Sequence, residues 1–127
     1  MPLAEPTTTI TDWVLGVEAL VLGWRLRALD GPGPRTRGRL GEALLATGFG
    51  ALAGGTAHGF APQIAGTWVA VLLWKITLLS IGVTSLLFLE SVGRAALGGR
   101  SRRVLRIAAV AQFVIYAFWI LGHDDFI

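Results

Sequence analysis

The chain alternates between long apolar segments and short polar connections. Four segments are long enough to cross a bilayer, whose ~30 Å hydrocarbon core needs roughly 20 apolar residues. They run over about residues 10–26, 40–60, 64–92 and 104–122. Backbone polar groups in lipid must be paired within their own segment, so each is predicted to be an α-helix. The pattern predicts an all-α fold, a four-transmembrane-helix bundle in one membrane domain over residues 1–127.

The connections between the segments are short and contain most of the helix-breaking residues. The first segment is followed by LDGPGPRTRG, the second by Ala61-Pro62-Gln63 and the third by GRAALGGRSRR. Proline and glycine end the first helix in a turn. The very short second connection predicts an antiparallel hairpin, and the third connection predicts a flexible basic loop.

The basic residues are distributed unevenly along the chain. Ten arginines surround the first and third connections, and the eleventh cation, Lys75, lies inside the third segment. The positive-inside rule therefore predicts cytoplasmic first and third connections, with both the N-terminus and the C-terminus non-cytoplasmic. Nucleic-acid binding would need aromatic side chains interleaved with the arginines. These connections have none, so the expected partner is the lipid bilayer and no nucleic acid.

The amino-acid composition is typical of a membrane protein and excludes chemistry that depends on cysteine. Only 15% of the residues are charged, whereas a soluble domain has about 25%. The chain has no cysteine, which excludes disulfides, thiolate metal sites and cysteine nucleophiles.

The second segment carries small residues at helical spacing. Ala46, Gly50, Gly54 and His58 recur every four residues, and a parallel row holds further alanine and glycine residues. Small residues at this spacing form a flat face on which another helix can pack. We expect a homo-oligomer or a larger membrane complex, with the contact through Gly54. A space for a ligand beside this helix is the alternative.

Two ionisable residues lie within the segments, where each costs a few kcal/mol unless it is paired or hydrated. Glu18 and Lys75 enter the bilayer from the same side, about 10 and 16 Å deep at the helical rise. Because their segments run parallel, we predict a buried ion pair between them, formed directly or through water.

Further polar residues are predicted to converge on an outward-facing pocket. Gln112, Tyr116 and Trp119 share one helical face that ends at His123, and His58 ends the glycine face. This pattern favours a binding, transport or assembly module with a polar cluster in the outer half of the bilayer. The predicted ligand-binding residues are Glu18, His58, Lys75, Gln112, Tyr116 and His123, with Thr56 nearby.

The alternative is a membrane-embedded enzyme. Two histidines and a carboxylate can bind zinc or iron, and His58, His123 and Asp124 form such a set. A zinc-bound water would make the protein a metal-dependent lipid hydrolase. No established catalytic or nucleotide-binding motif occurs, and the sequence assigns no cofactor.

Other polar residues are given structural roles. Glu42 and Glu90, near the predicted cytoplasmic ends, are expected to pair with arginines. The hydroxyls of Ser80, Thr84 and Ser85 are expected to bond their own helix or a neighbour.

Three stretches carry a resemblance to a known group of proteins. They are TDWVLGVEALVLGWRL in the first segment, GGTAHGF at the end of the second, and HDDF near the C-terminus. Together they resemble an uncharacterised bacterial family of multi-span membrane proteins with a domain of unknown function. The resemblance implies the bacterial plasma (inner) membrane and a short or truncated member of the family.

Overall fold

A computed structural model describes residues 2–29 and 36–124 as an all-helical chain. That part contains no strand, so the predicted all-α class is confirmed. The middle of the first predicted connection, residues 30–35, lies outside the described residues. The helices are α1 (Pro6–Ala28), α2 (Thr36–Gly59), α3 (Ala61–Ile64), α4 (Trp68–Ala96) and α5 (Gly99–Gly122).

The ends of α4 show where local backbone chemistry overrides the apolar pattern. Gly66 has a φ of 72°, so the chain turns there and α4 starts only at Trp68. At the other end, Gly99 has a φ of 49° and opens α5. The predicted flexible basic loop is therefore wrong: only Leu97 and Gly98 separate the two helices. The arginines after Gly99 continue α5, since arginine is a good helix former.

The four long helices form an open antiparallel row. Within the described residues, α1 packs on α2, α2 on α4 and α4 on α5, and no other pair of long helices packs together. This arrangement is less enclosed than the predicted bundle, because α1 and α5 remain at opposite edges. The antiparallel order places the described arginines around the first and third connections at one end of the row.

Glycines bring α1 and α2 into backbone contact. A Cβ added to Gly23 would lie 2.7 Å from the carbonyl oxygen of Gly41. One added to Gly48 would lie 2.8 Å from the carbonyl oxygen of Gly16. The glycines of each helix are seven residues apart, which keeps them on one face along an antiparallel pair. Only glycine allows the two backbones to approach this closely.

Among the described residues, two helices are long and apolar enough to cross a membrane by length and composition, α4 and α5. Only 0% and 11% of the residues in their most apolar stretches are buried. Core helices of soluble proteins are mostly buried. The predicted first and second spans coincide with α1 and α2. These helices are less apolar, because α1 carries four ionisable residues and half of the residues of α2 are glycine or alanine.

Candidate functional site

A cavity of about 320 Å³ lies between α2 and α4. It exists because Gly50 and Gly54 of α2 have no side chains and face Ser80 and Thr77 of α4. Its wall is partly apolar, through Ala51, Trp74 and Ile81, and partly polar, through several hydroxyl groups. The lining residues are Asp12, Thr47, Gly50, Ala51, Gly54, His58, Trp74, Thr77, Ser80, Ile81, Thr84 and Ser85.

Several of the hydroxyls along the cavity already have partners. Thr47 and Thr84 share a hydrogen bond of 3.2 Å between α2 and α4. Thr77 donates to the carbonyl of its own helix at Leu73, 2.8 Å away. Ser80, in contrast, makes no hydrogen bond to any described residue. The cavity therefore presents a free hydroxyl between the glycines of α2 and the middle of α4.

The end of the cavity near the N-terminus carries the ionisable groups. His58 packs edge-on against Trp74, with ring centroids 5.4 Å apart. Its Nδ1 lies 3.4 Å from Oε2 of Glu5. Asp12 lines the same cavity, and within residues 2–29 and 36–124 it has no hydrogen-bond or ion-pair partner. A carboxylate and an imidazole thus stand at one end of a cavity that is lined by hydroxyls.

The N-terminal segment is fixed beside this end of the cavity. The backbone N–H of Ala4 donates to the carbonyl of Gly59 at 3.0 Å. Nearby, Trp13 Nε1 donates to Thr56 Oγ1 at 3.3 Å, and Thr56 donates to the carbonyl of Leu52. Thr56, predicted to line a pocket, instead links α1 to α2.

The structure does not form the predicted pair of Glu18 with Lys75. Lys75 Nζ lies 2.5 Å from Oδ1 of Asp124 and donates to the carbonyl of Leu121 at 3.1 Å. Glu18 is exposed on α1 and has no ion-pair partner among the described residues. The prediction was wrong because α2 lies between α1 and α4, so equal depth does not bring these two side chains together.

The two histidines lie far apart, because His58 belongs to α2 and His123 directly follows α5. His123 stacks on Trp119 with ring centroids 4.9 Å apart, and its Nδ1 lies 2.8 Å from the Trp119 carbonyl oxygen. His58 lies on α2, which does not touch α5. In the described part of the chain, no three His, Cys, Asp or Glu side chains form a group that could hold a metal ion. The set of His58, His123 and Asp124 is therefore not assembled as a three-ligand centre.

The remaining predicted residues line a separate groove between α4 and α5. Tyr116 donates to the carbonyl of Leu78 at 3.0 Å, and Gln112 lies one turn away. The recess beside them has a volume of about 130 Å³. The predicted ligand-binding residues thus lie in four different places. His58 lines the α2–α4 cavity, and Gln112 and Tyr116 line this groove. Lys75 and His123 lie where the start of α4 meets the end of α5, and Glu18 is exposed on α1.

The family model that matches this sequence covers residues 7–127, which is nearly the whole chain. The chain belongs to a family of unknown function, DUF6962. The predicted resemblance to a family with a domain of unknown function is confirmed to that extent. No curated protein and no solved structure matches the chain. Membership of DUF6962 assigns no activity to the chain.

Arginine and glutamate join three helices at the opposite end of this DUF6962 chain. Glu90 lies between Arg39 of α2 and Arg106 of α5, with N···O distances of 3.4 and 3.3 Å. Arg39 also contacts Glu42 at 2.8 Å. The predicted pairing of Glu42 and Glu90 with arginines is confirmed. Because the side chain of Glu90 is only 9% exposed, its two arginine partners compensate a largely buried charge.

The hydroxyl face of α4 was the part of the site that sequence reasoning missed. Thr77, Ser80 and Thr84 are spaced three and four residues apart, which places them on one helical face. The expected bonds of Thr84 to a neighbour and Ser85 to its own helix are confirmed, whereas Ser80 forms neither. The signal was available as helical spacing of hydroxyls opposite a glycine face in the neighbouring segment.

Proposed function

We propose that this protein is a four-span membrane protein that binds a small molecule in the cavity between α2 and α4. The observation that carries the proposal is the cavity itself, with a free hydroxyl at Ser80 and ionisable groups at Asp12 and His58. Sites for small ligands are typically apolar recesses with a few converging polar groups. The proposed location is the bacterial plasma membrane.

Membrane placement is supported by what the row of helices exposes. The arginines that the structure describes gather at one end of the row, as the positive-inside rule expects for the cytoplasmic side. Both described termini then lie on the non-cytoplasmic side. Large apolar side chains point outward from the two edge helices, where lipid would cover them. They include Val14, Val17, Leu22, Ile107, Ile115 and Phe118.

The composition of the cavity indicates the chemistry of the ligand. The surfaces of the glycines and of Ile81 favour an apolar body, and the free hydroxyl of Ser80 can donate to or accept from a polar group. Asp12 accepts hydrogen bonds, and so favours a donor such as an amine or a hydroxyl at that end. The ligand class is therefore a small amphiphile with a hydrogen-bond donor at its polar end.

The test is chemical analysis of small molecules extracted from purified protein. Replacing Ser80 with Leu removes the free hydroxyl and narrows the cavity, and replacing the exposed Ser101 with Leu is the matched control. We expect a compound that co-purifies with the wild type and the Ser101 variant, and is lost from the Ser80 variant. Identical extracts from all three proteins would overturn the binding proposal.

A second candidate function is assembly with another membrane helix. Glu18 is exposed among apolar residues near the middle of α1 and has no partner among residues 2–29 and 36–124. An unpaired carboxylate facing lipid is costly, which favours a polar contact from a second copy of the chain on this face. This contact replaces the predicted one through Gly54, since α4 already covers that glycine.

Molecular mass in detergent tests the assembly. The Glu18→Leu variant removes the polar group, and Glu18→Gln keeps its hydrogen-bonding capacity. Light scattering should show an oligomer for the wild type, monomer for Glu18→Leu and partial retention for Glu18→Gln. A monomeric wild type, or an oligomer that persists in Glu18→Leu, would contradict this contact.

A further inference from the structure

A groove runs along the packed faces of α4 and α5 and changes character along its length. Toward the arginine end is a small crevice of about 30 Å³. Next to it along α4 is the apolar recess of about 130 Å³. Leu89 lines both, so the two hollows adjoin one another. The result is one groove with a basic end and an apolar body.

The basic end carries more positive charge than the protein neutralises. Three arginines line the crevice, Arg94, Arg102 and Arg106, together with one carboxylate, Glu90. Glu90 is already shared between Arg106 and Arg39. Arg94 and Arg102 have no ion-pair partner in the part of the chain that the structure describes. An anion that binds here would therefore find guanidinium donors that are not engaged.

The crevice forms because Gly93 leaves room under these side chains. Leu105 Cδ2 would lie 3.1 Å and Arg102 Cγ 3.9 Å from a Cβ added there. The side chains of α5 can thus cross over the backbone of α4. This brings Arg102 to the same crevice as Arg94 and Arg106, although the three residues come from two helices.

We propose that this groove binds an anionic diacyl phospholipid. The phosphate contacts Arg94, Arg102 and Arg106, and one acyl chain follows the recess past Leu89 and Phe113. Arginine binds phosphate with paired N–H donors, and basic hollows between membrane helices suit anionic headgroups. A zwitterionic headgroup fits poorly, since the crevice offers its cation only Glu90, which two arginines already hold.

This inference rests on the proposed membrane placement and is independent of the ligand in the α2–α4 cavity. The positive charge of the arginines in the crevice favours an anionic headgroup. The adjoining apolar recess can hold an acyl chain, so it favours a lipid over free phosphate. The proposed cytoplasmic side of the arginines places the crevice at the level of lipid headgroups in the inner leaflet.

The test is native mass spectrometry of delipidated protein titrated with phosphatidylglycerol and, separately, phosphatidylcholine of the same acyl chains. The wild type should bind phosphatidylglycerol at least about tenfold more tightly. The double variant Arg94→Gln/Arg102→Gln should lose this preference. Arg100→Gln/Arg103→Gln removes the same charge from exposed positions outside the crevice and should keep it.

Each outcome separates the possible explanations. Equal losses in the two double variants would reduce the effect to general surface attraction and overturn the site. Competition by soluble glycerol phosphate at concentrations similar to the lipid would overturn the acyl-chain contact. A wild type that inserts into vesicles but shows no headgroup preference defeats this inference alone. A wild type that stays soluble without detergent defeats the membrane placement as well.

The wild-type comparison of the two lipids requires no variant, so misfolding cannot obscure it. For the variants, circular dichroism and thermal unfolding in the same detergent establish that the helices are retained. Loss of lipid preference together with wild-type unfolding behaviour is the result expected for Arg94→Gln/Arg102→Gln.

Discussion

The two faces of α2 are both rich in glycine, yet they produce opposite interfaces. Toward α1, the glycines meet other glycines, and the backbones touch. Toward α4, Gly50 and Gly54 meet Ser80 and Thr77, and a cavity remains. Small residues on one helix permit close approach, but the opposite helix decides whether the approach occurs. In the proposed membrane placement, where apolar burial does not drive helices together, this difference sets which of the two interfaces packs closely.

The strongest test of this contrast is to replace one glycine with alanine at the α1–α2 interface and one at the α2–α4 interface. Gly23→Ala places its Cβ 2.7 Å from the Gly41 carbonyl oxygen, so the backbones must separate. We expect a loss of about 2–3 kcal/mol in the free energy of unfolding, typical of overpacking. Titration of the detergent-solubilised protein with a denaturing detergent, followed by circular dichroism, gives the value.

The matched control for that substitution lies on the other face of α2. In Gly54→Ala the nearest atom to the new Cβ is the Thr77 methyl carbon at 3.2 Å, which can shift toward the cavity. Stability should change by less than about 1 kcal/mol. If the two alanine variants were equally destabilised, the two faces of α2 would not differ as described.

The second prediction concerns the ion pairs of Glu90, which link α4 to α2 and α5 where the backbones do not touch. Glu90→Gln removes the charge that holds Arg39 and Arg106. We expect a loss of about 1–2 kcal/mol, because the bonds are charge-assisted but both arginines remain partly hydrated. The same unfolding measurement applies.

Glu42→Gln is the control for that variant. Glu42 contacts Arg39 from three residues away on the same helix, so it joins no two helices. Its loss should cost only about 0.3 kcal/mol. Similar losses in the two glutamine variants would show that the link between helices adds nothing.

The smallest expected effect belongs to the hydroxyl pair beside the cavity. Thr47→Val and Thr84→Val each remove one partner of the 3.2 Å bond between α2 and α4. A double-mutant cycle should give a coupling of about 0.6 kcal/mol, the usual value between membrane helices. Strict additivity of the two changes would mean that this bond contributes no stability of its own.

The sequence predicted the four long helices well because long apolar segments bounded by polar connections have few other solutions. The second predicted connection, Ala61-Pro62-Gln63, instead forms part of the short helix α3. It predicted the partners of individual side chains poorly. Counting residues along a helix gives depth, so Glu18 and Lys75 were placed together, but depth contains no information on which helices are neighbours. The observed partner of Lys75 is Asp124, which follows the end of α5. It reaches Lys75 because α5 packs antiparallel against α4.

The glycine face of α2 shows a similar limit. Its four-residue repeat correctly predicts a surface for helix packing, but a spacing of small residues does not say whether the partner is in the same chain. The cavity depends on pairing Gly50 and Gly54 with the hydroxyls of α4. That pairing becomes visible only when the register between the two helices is known.

The open row has a consequence for how the protein is made. Among the residues that the structure describes, each long helix packs only on the long helices next to it along the chain, so its packing does not depend on a distant helix. The hairpin of α1 and α2 can form while the ribosome is still synthesising α4. Each later helix can then pack against the helix that precedes it in the row. Low separation between contacting residues favours rapid, stepwise assembly.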